Sequence, residues 1–243
     1  MRALVIADVH GNLDAFEAVL HDAEAAGAID ALWCLGDIVG YGAEPDACIE
    51  RLRGYPHAAI AGNHDLAAIG AISTRDFNLY AATAARWTAE NLSSESKAWL
   101  GGLPQVLVTG DEFTLTHGSL VDPVWEYLVF AEAAADHLKR QQTPYGFVGH
   151  SHLPLVFVEV SAEGTPRPTG VTMLPLDGTR FVANPGSVGQ PRDGDPRAAY
   201  AVVDTDARRV SFYRVDYNVA SAQGKIRAAG LPESLAERLA VGR

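Results

Sequence analysis

The sequence predicts the α/β class, as a four-layer sandwich in which two mixed β-sheets pack face to face and helices flank them. Three observations lead to this prediction. Strands and helices alternate in the first half of the 243-residue chain, closely spaced strands follow in the second half, and polar residues come directly after several apolar runs. With 48% hydrophobic residues the chain can bury a full core, and we expect one domain over residues 1–243.

The first strand, helix and second strand establish a parallel sheet. Residues 2–7 form an apolar run without alternation, which is typical of a strand covered on both faces. Asn12 is a suitable N-cap for the helix that follows, and Gly27 is suited to end it. Residues 31–35 repeat the strand pattern. Strands connected in this way run parallel, so we expect their polar ends at one edge of the sheet, where α/β proteins usually have active sites.

Further helices complete the first half. Phe77 and Tyr80 fall on the apolar stripe of one of them, so we expect both in the core. The segments predicted here are a Gly-rich loop over 38–44, a short helix over 45–52, a third strand over 57–60, a longer helix over 75–92 and a second short helix that ends near residue 101.

Beyond Pro104 the pattern changes to closely spaced strands. Two short apolar runs flank residues 109–112, which is a hairpin signal. We expect the second half to form a second, more antiparallel sheet that packs against the first. The other segments predicted are a helix over 130–139, strands over 146–148, 155–160, 179–183, 200–203 and 209–214, a surface turn over 164–170, and a mostly helical stretch without recognisable chemistry over 219–242.

Composition limits the compartment and the partners. The chain begins directly on a strand pattern and has no apolar run near the roughly 20 residues that a membrane span needs, so we expect a cytoplasmic protein without membrane contact. Cys34 and Cys48 match neither a disulfide framework nor a zinc signature. A net charge of −11 disfavours polymeric nucleic acid as a partner. A small phosphate ester stays possible, because bound divalent cations would reverse the local charge. The oligomeric state is not indicated.

Metal-ligating side chains recur at the predicted strand ends. Five of the eight histidines lie in these clusters, beside glycines and after apolar runs. Carboxylate, imidazole and amide groups without cysteine suit Mn²⁺, Fe²⁺, Zn²⁺, Co²⁺ or Ni²⁺. They exceed what one tetrahedral site can use, so two ions that share a bridging carboxylate fit better than one. The side chains are Asp8, His10, Asp37, Asn63, His64, His117, His150 and His152.

Five motif blocks in this order resemble the calcineurin-like metallophosphoesterase superfamily. The later segment Asn184-Pro185-Gly186-Ser187-Val188-Gly189 also resembles the small bacterial phosphodiesterase branch, which is similar to the diadenosine tetraphosphatases. The blocks extend over about 145 residues, and five in order are far more specific than one. They read Asp8-Val9-His10, Gly36-Asp37, Gly62-Asn63-His64-Asp65, His117-Gly118 and Gly149-His150-Ser151-His152.

The resemblance implies a role for each of these residues. One metal ion would be held by Asp8, His10 and His152, the other by Asn63, His117 and His150, with Asp37 bridging them. His64 would act on the leaving group, and Asp65 would orient its imidazole by accepting a hydrogen bond from the other ring nitrogen. The family chemistry is in-line attack on phosphorus by a hydroxide between the two ions, for which Mn²⁺ is the favoured metal.

Substrate contacts are less well defined by the sequence. Asn12, Tyr41 and Arg192 are candidates, although Asn12 is also a helix cap. The aromatic side chains Trp125, Tyr127 and Phe130 follow His117 and either line a pocket for a nucleobase or pack ordinarily.

The leading functional hypothesis is hydrolysis of a small phosphodiester or nucleotide. The alternatives are a dinucleoside polyphosphate hydrolase, a phosphomonoesterase or protein phosphatase, and a metal-binding scaffold without activity. Protein phosphatases of this superfamily carry Asp-Arg-Gly after the bridging aspartate, whereas Asp37 is followed here by Ile38-Val39-Gly40. The missing arginine disfavours dianionic monoesters, and the intact ligand set disfavours the scaffold.

Overall fold

The computed structural model describes residues 1–159, 167–168 and 172–243. The strands are β1 (Arg2–Ile6), β2 (Ala31–Cys34), β3 (His57–Ala59), β4 (Val106–Thr109), β5 (Phe113–Thr116), β6 (Tyr145–Phe147), β7 (Leu155–Val158), β8 (Arg167–Pro168), β9 (Met173–Pro175), β10 (Phe181–Asn184), β11 (Ala198–Asp204) and β12 (Arg209–Val215). The α-helices are α1 (Leu13–Ala25), α2 (Pro45–Arg53), α3 (Asn63–Ala68), α4 (Leu79–Asn91), α5 (Ser94–Gly101), α6 (Ala131–Arg140), α7 (Val219–Ala228) and α8 (Glu233–Glu237). Short 3₁₀ turns cover Thr74–Asp76 and Arg238–Ala240.

The strands form two mixed six-stranded sheets. The first sheet has the order β3-β2-β1-β11-β12-β9 and the second has the order β4-β5-β6-β10-β7-β8. The parallel pairs are β1/β2 and β2/β3 in the first sheet, and β5/β6 and β6/β10 in the second. The α/β class and the two mixed sheets are therefore confirmed.

The predicted division of the strands between the sheets was confirmed in part. All six strands of the second sheet lie beyond Pro104, as predicted, but β9, β11 and β12 of the second half extend the first sheet instead. β11 pairs antiparallel with β1, with Ala3 opposite Val203. Without this partner the edge of β1 would expose unpaired backbone groups next to a buried core, which a buried strand cannot tolerate. Within the described residues each sheet has three antiparallel pairs, so the prediction that the second sheet is the more antiparallel was wrong.

Three apolar clusters account for the four layers. The alternating side chains of β1 illustrate the arrangement. Ala3 and Val5 pack with Phe147 of the second sheet, whereas Leu4 and Ile6 pack with helix α1 on the opposite face. A third cluster covers the outer face of the second sheet with α6. Burial on both faces explains why the β1 sequence does not alternate.

The helix predictions were mostly confirmed, with three differences. Asn12 caps α1 by accepting from the backbone N–H of Ala15. The helix predicted over 75–92 begins later, at Leu79, because the Asn78 side chain caps it by accepting from Ala81. Tyr80 is 50% exposed, so its placement in the core was wrong. Helix α3 was not predicted at all, because it has only six residues, of which the first three are polar and ligand-type, and so shows no apolar stripe.

Other predictions fall on parts of the chain that are described only in part. The surface turn over 164–170 and the end of the strand over 155–160 lie partly outside the described residues. Within that turn Arg167–Pro168 forms β8, which pairs with β7. No helix among the described ranges is long and apolar enough to cross a membrane. The single domain over residues 1–243 stays a prediction.

His137 on α6 is a buried histidine outside the ligand clusters. Its Nδ1 accepts a hydrogen bond from the backbone N–H of Leu120 at 3.1 Å, and its Nε2 donates to Oε1 of Gln141 at 3.0 Å. Burial lowers the pKa of His137 to about 4. The folded protein therefore holds this ring in its neutral form, since protonation would place two N–H groups against each other at Leu120.

A His137→Asn variant should be less sensitive to acid than the wild type. Because the folded pKa lies below the unfolded value of 6.5, the stabilisation from His137 is fully present above that value and is lost as pH falls toward about 4. From about pH 8 to about pH 5, the free energy of unfolding of the wild type should fall by about 2 kcal/mol more than that of the variant. Urea denaturation at matched metal content measures this difference, and equal pH dependence would contradict it.

Candidate dinuclear metal centre

All seven predicted metal ligands meet at one edge where the two sheets face each other. The segments after β1, β2, β3, β5 and β6 supply them, so both sheets contribute. Each of these side chains is buried, with at most 5% of its surface exposed. Burying seven polar side chains away from solvent costs free energy unless they bond to one another or to a ligand. The ligands in chain order are Asp8, His10, Asp37, Asn63, His117, His150 and His152.

The backbone at this edge is strained. Five of the seven ligands have left-handed backbone angles, with φ between 51° and 64°. For residues other than glycine this conformation costs about 1–2 kcal/mol each. Such strain persists where the surrounding structure enforces it, and it concentrates at functional sites. The five residues are Asp8, His10, Asp37, His150 and His152.

Asp8, His10 and His152 form the first ligand group. One ligand atom from each lies within 4.8 Å of the others. Nε2 of His152 lies 3.4 Å from Oδ1 of Asp8 and 3.1 Å from Nε2 of His10. The Nδ1 atoms of His10 and His152 donate to the carbonyl oxygens of Val39 and Gln190. Each neutral ring therefore has a bare Nε2 lone pair directed at the other, which is repulsive unless a cation lies between them.

The second group contains Asp37, His117 and His150, whose ligand atoms also lie within 4.8 Å of one another. Oδ1 of Asn63 joins it, 3.1 Å from Nε2 of His117. His117 donates from Nδ1 to the Leu35 carbonyl, which leaves its Nε2 for the group. His150 has the opposite ring orientation to His117, because its Nε2 contacts the Trp125 carbonyl and its Nδ1 is the nitrogen left for the group.

Asp37 lies between the two groups. Its Oδ2 is 3.7 Å from Nε2 of His10 in the first group and 3.4 Å from Nε2 of His117 in the second. Its Oδ1 accepts from the backbone N–H of His64 at 2.8 Å. Gly62 passes so close to this carboxylate that a side chain there would collide with it. The local chain is thus built around the position of Asp37.

The electrostatics of the centre fit divalent cations. Burial and the neighbouring Asp37 raise the pKa of Asp8 to about 7. Burial alone would lower the pKa of His117, but the Asp37 carboxylate outweighs it and raises this pKa to about 9. Without a bound cation, the positive charge beside Asp37 therefore comes from a proton on His117. Oδ2 of Asp8 is buried and has no hydrogen-bond partner among the described residues. A carboxylate oxygen without a hydrogen-bond partner, beside imidazole nitrogens with free lone pairs, is the set of ligand atoms that a metal site requires.

His64 lies beside the two groups, but not in the predicted arrangement. Its ring packs against those of Tyr41 and Phe77, with centroids 4.4 and 4.7 Å away. Its Nδ1 is buried without a hydrogen-bond partner among the described residues. The backbone of Gly40 lies against this side of the ring, and the His64 side chain lines the cavity beside the ligand groups. Burial lowers the pKa of His64 to about 4.

The predicted hydrogen bond from His64 to Asp65 was wrong. Oδ1 of Asp65 accepts from the backbone N–H groups of Ile38 and Val39, and Oδ2 accepts from Gly62. The two bonds from Ile38 and Val39 join the first turn of α3 to the loop after Asp37, and the bond from Gly62 caps the start of α3 itself. Backbone N–H groups occupy both oxygens of the Asp65 carboxylate. The reason is helix α3, which was not predicted from the sequence and which directs Asp65 away from the His64 ring. Asp65 therefore positions the loop, and aromatic packing positions His64.

Asp65→Asn should lower the free energy of unfolding by about 2–4 kcal/mol, because an amide can present only one oxygen to three buried N–H donors. Urea denaturation of the metal-free proteins measures this loss. An unchanged stability with reduced turnover would instead support direct orientation of His64 by Asp65.

A cavity of about 260 Å³ opens beside the ligand groups. Tyr41 and Arg192 line it, as predicted for substrate contacts, and their side chains are adjacent, with the guanidinium 5.8 Å from the ring centroid. Asn12 does not line it. Its Oδ1 caps α1 and its Nδ2 donates to the Gly189 carbonyl, so Asn12 is bonded within the protein, and its substrate contact stays a prediction.

Two of the three aromatic side chains after His117 lie where the pocket prediction places them, and the third fits neither the pocket nor ordinary packing. Trp125 and Tyr127 line the cavity, whereas Phe130 is 69% exposed at the start of α6. Sequence reasoning missed Asp76 and Asn78, which also line the cavity. The signal was the N-cap Asn78, which places the preceding residues in a loop before α4 and not within a helix.

Comparisons with known proteins agree with this arrangement. A profile of the calcineurin-like phosphoesterase superfamily domain matches residues 1–208. The chain is 39% identical to the uncharacterized protein MJ0912 of Methanocaldococcus jannaschii over 246 aligned positions, which cover 98% of this chain and 97% of that protein. It is 29% identical to phosphodiesterase YfcE of Escherichia coli over 86% of this chain and 91% of that protein. A metallophosphoesterase structure from Sphaerobacter thermophilus superposes with a TM-score of 0.89 at 46% identity, covering 100% of this chain and 99% of that chain.

These matches extend over most of the chain and include every ligand described above. The family uses a dinuclear metal site, and the two buried groups of carboxylate and imidazole ligands correspond to such a site. The chain therefore belongs to the calcineurin-like phosphoesterase superfamily and is a metallophosphoesterase.

Proposed function

We propose that this protein hydrolyses a small phosphodiester or nucleotide with two divalent metal ions. The observation that carries the proposal is the pair of buried ligand groups with one carboxylate, Asp37, between them. Two ions about 3.5–4 Å apart act as a clamp on phosphoryl oxygens in such sites. Similarity to a relative named phosphodiesterase YfcE supports the diester.

The proposed ligands follow the two groups. Asp8, His10 and His152 would hold one ion, Asn63, His117 and His150 would hold the other, and Asp37 would contact both. The ions would supply Lewis-acid stabilisation of phosphoryl charge and a water molecule activated for attack. The backbone carbonyls that accept from four of these histidine rings fix which nitrogen is presented.

The side chains that line the cavity but are not metal ligands would contact the rest of the substrate. His64 lines the cavity, and its neutral ring would donate a hydrogen bond from Nε2–H to the leaving oxygen as it departs. Arg192 would bind a phosphoryl oxygen, and its hydrogen bonds to Oε1 of Gln190 hold the guanidinium in place. No second arginine lines the cavity within the described ranges. One guanidinium suits a monoanionic diester better than a dianionic monoester.

Mn²⁺ is the metal that we propose, with Fe, Zn, Co or Ni as alternatives. The donor set combines carboxylate, imidazole and amide groups and contains no thiolate, which suits this group of borderline ions. The two cysteines, Cys34 and Cys48, are buried and belong to neither ligand group.

A substrate panel with added Mn²⁺ tests the function. We expect bis(p-nitrophenyl) phosphate to be hydrolysed with a higher kcat/KM than p-nitrophenyl phosphate, and activity to disappear with a chelator and return with Mn²⁺. Metal binding without turnover of any diester, monoester or dinucleoside polyphosphate would instead favour a metal-binding scaffold. Preferential turnover of the monoester would favour a phosphomonoesterase.

A further inference from the structure

The cavity beside the ligand groups has two chemically different ends. At one end, Arg192 donates to Oε1 of Gln190, and the backbone carbonyl of Gln190 accepts from Nδ1 of His152 in the first ligand group. At the other end the wall is formed by Asp76, Phe77 and Asn78, which precede α4. The first end therefore suits phosphate, whereas a carboxylate at the second end would repel it.

Aromatic side chains form much of the wall between these ends. The rings of Phe77 and Trp125 meet edge to face with centroids 5.5 Å apart. The Tyr127 ring stacks on His150 at 4.0 Å, and half of the Tyr127 side chain stays exposed. Partly exposed aromatic rings beside a phosphate-binding centre are a suitable surface for a planar base.

The polar groups at the far end are available for hydrogen bonding. Asp76 is exposed and has no side-chain hydrogen bond or ion pair among the described residues. Asn78 uses Oδ1 to cap α4 by accepting from Ala81 at 2.9 Å, which leaves its Nδ2 to donate into the cavity. This end therefore offers the two acceptor oxygens of the Asp76 carboxylate beside the amide donor of Asn78.

We propose that the protein's substrate is a guanine nucleotide ester and that Asp76 and Phe77 determine this specificity. Guanine presents adjacent N1–H and amino donors, which match the Asp76 carboxylate, and its O6 can accept from Nδ2 of Asn78. Adenine places an acceptor beside its amino group, and uracil has no amino group, so neither satisfies both partners. The base stacks on Phe77, with the Trp125 ring edge to face beside it, while the phosphate reaches Arg192. This inference rests on the proposed phosphodiesterase function.

Matched chromogenic esters test the specificity. The substrates are p-nitrophenyl esters of guanosine, adenosine and uridine 5′-monophosphates, with methyl p-nitrophenyl phosphate as the ester without a base. We expect kcat/KM for the guanosine ester to exceed that for the uridine ester by about 10-fold or more. A direct readout comes from calorimetric titration with GMP and ribose 5-phosphate, in which GMP should bind about 10-fold more tightly.

Variants then locate the base. Asp76→Asn should reduce the guanosine-to-uridine ratio of kcat/KM by about 10-fold, because the amide cannot accept from both guanine donors. Phe77→Ala should reduce the ratio of the guanosine ester to the base-free ester by a similar factor. Asp111→Asn is the matched control. Asp111 lies at the tip of the β4–β5 turn, away from the cavity, and its variant should keep the wild-type ratios.

The outcomes separate the two proposals. Turnover of the base-free ester with equal rates for all three bases, or unchanged ratios in Asp76→Asn, would overturn the guanine assignment and leave the phosphodiesterase function intact. Lack of turnover of every ester with metal bound would overturn the proposed function, while preferential GMP binding would still support the base site.

Discussion

His64→Ala is expected to bind both metal ions and to lose about 10²- to 10⁴-fold in kcat, the range typical of a lost general acid or base. The physical reason is the position of the ring. His64 lies between Tyr41 and Phe77 at the wall of the cavity, and its side chain belongs to neither ligand group. Metal content by mass spectrometry and kcat on a chromogenic diester measure the two parts of the prediction separately.

His57→Ala is a suitable control for this experiment. His57 begins β3 and is exposed, and among the described residues its side chain hydrogen-bonds to the carbonyl of Tyr55 alone, so its removal should leave kcat unchanged. A fully metallated His64→Ala protein with wild-type turnover would contradict the role of His64. Loss of metal from the variant would instead show that the ring supports the ligand groups.

Asp37→Asn is expected to lose at least one metal ion per chain and to lower kcat/KM by about 10³-fold. The substitution keeps the size of the side chain and the acceptor for the His64 N–H, but it removes the negative charge that faces both groups. A loss of this size corresponds to about 4 kcal/mol of transition-state stabilisation. Titration with Mn²⁺, followed by kinetics on the same diester, measures both effects.

Asp111→Asn provides the matched control for Asp37→Asn. Both aspartates have left-handed backbone angles, with φ of 51° and 59°, so the same exchange is made in the same backbone conformation. Asp111 is exposed and should keep full metal content and activity. Retention of two tightly bound ions by Asp37→Asn would contradict the position of this carboxylate between them.

The ligand set was predictable because each ligand belongs to a short motif at the end of an apolar run. Asp8, Asp37 and His150 all follow buried strands, and the edges of parallel strands bring such residues together. The strand order was less predictable. β11 pairs with β1 across nearly the whole length of the chain, and local patterns carry no information about a partner so distant.

The local errors also have physical causes. Helix α3 is short and buried among ligands, so its sequence lacks an amphipathic stripe, and without the helix the direction of the Asp65 carboxylate could not be inferred. The cavity end near Asp76 is a tertiary feature, because Trp125 reaches it from a different segment of the chain. Side-chain assemblies of this kind depend on packing, which spacing alone does not encode.

Native mass spectrometry of the Mn²⁺-saturated protein tests the central claim most directly. Two ligand groups that share Asp37 predict a mass increase of two manganese ions per chain, reduced in Asp37→Asn and unchanged in Asp111→Asn. A wild-type protein that binds one ion or none at saturating Mn²⁺, and likewise with Zn²⁺, would contradict the dinuclear centre.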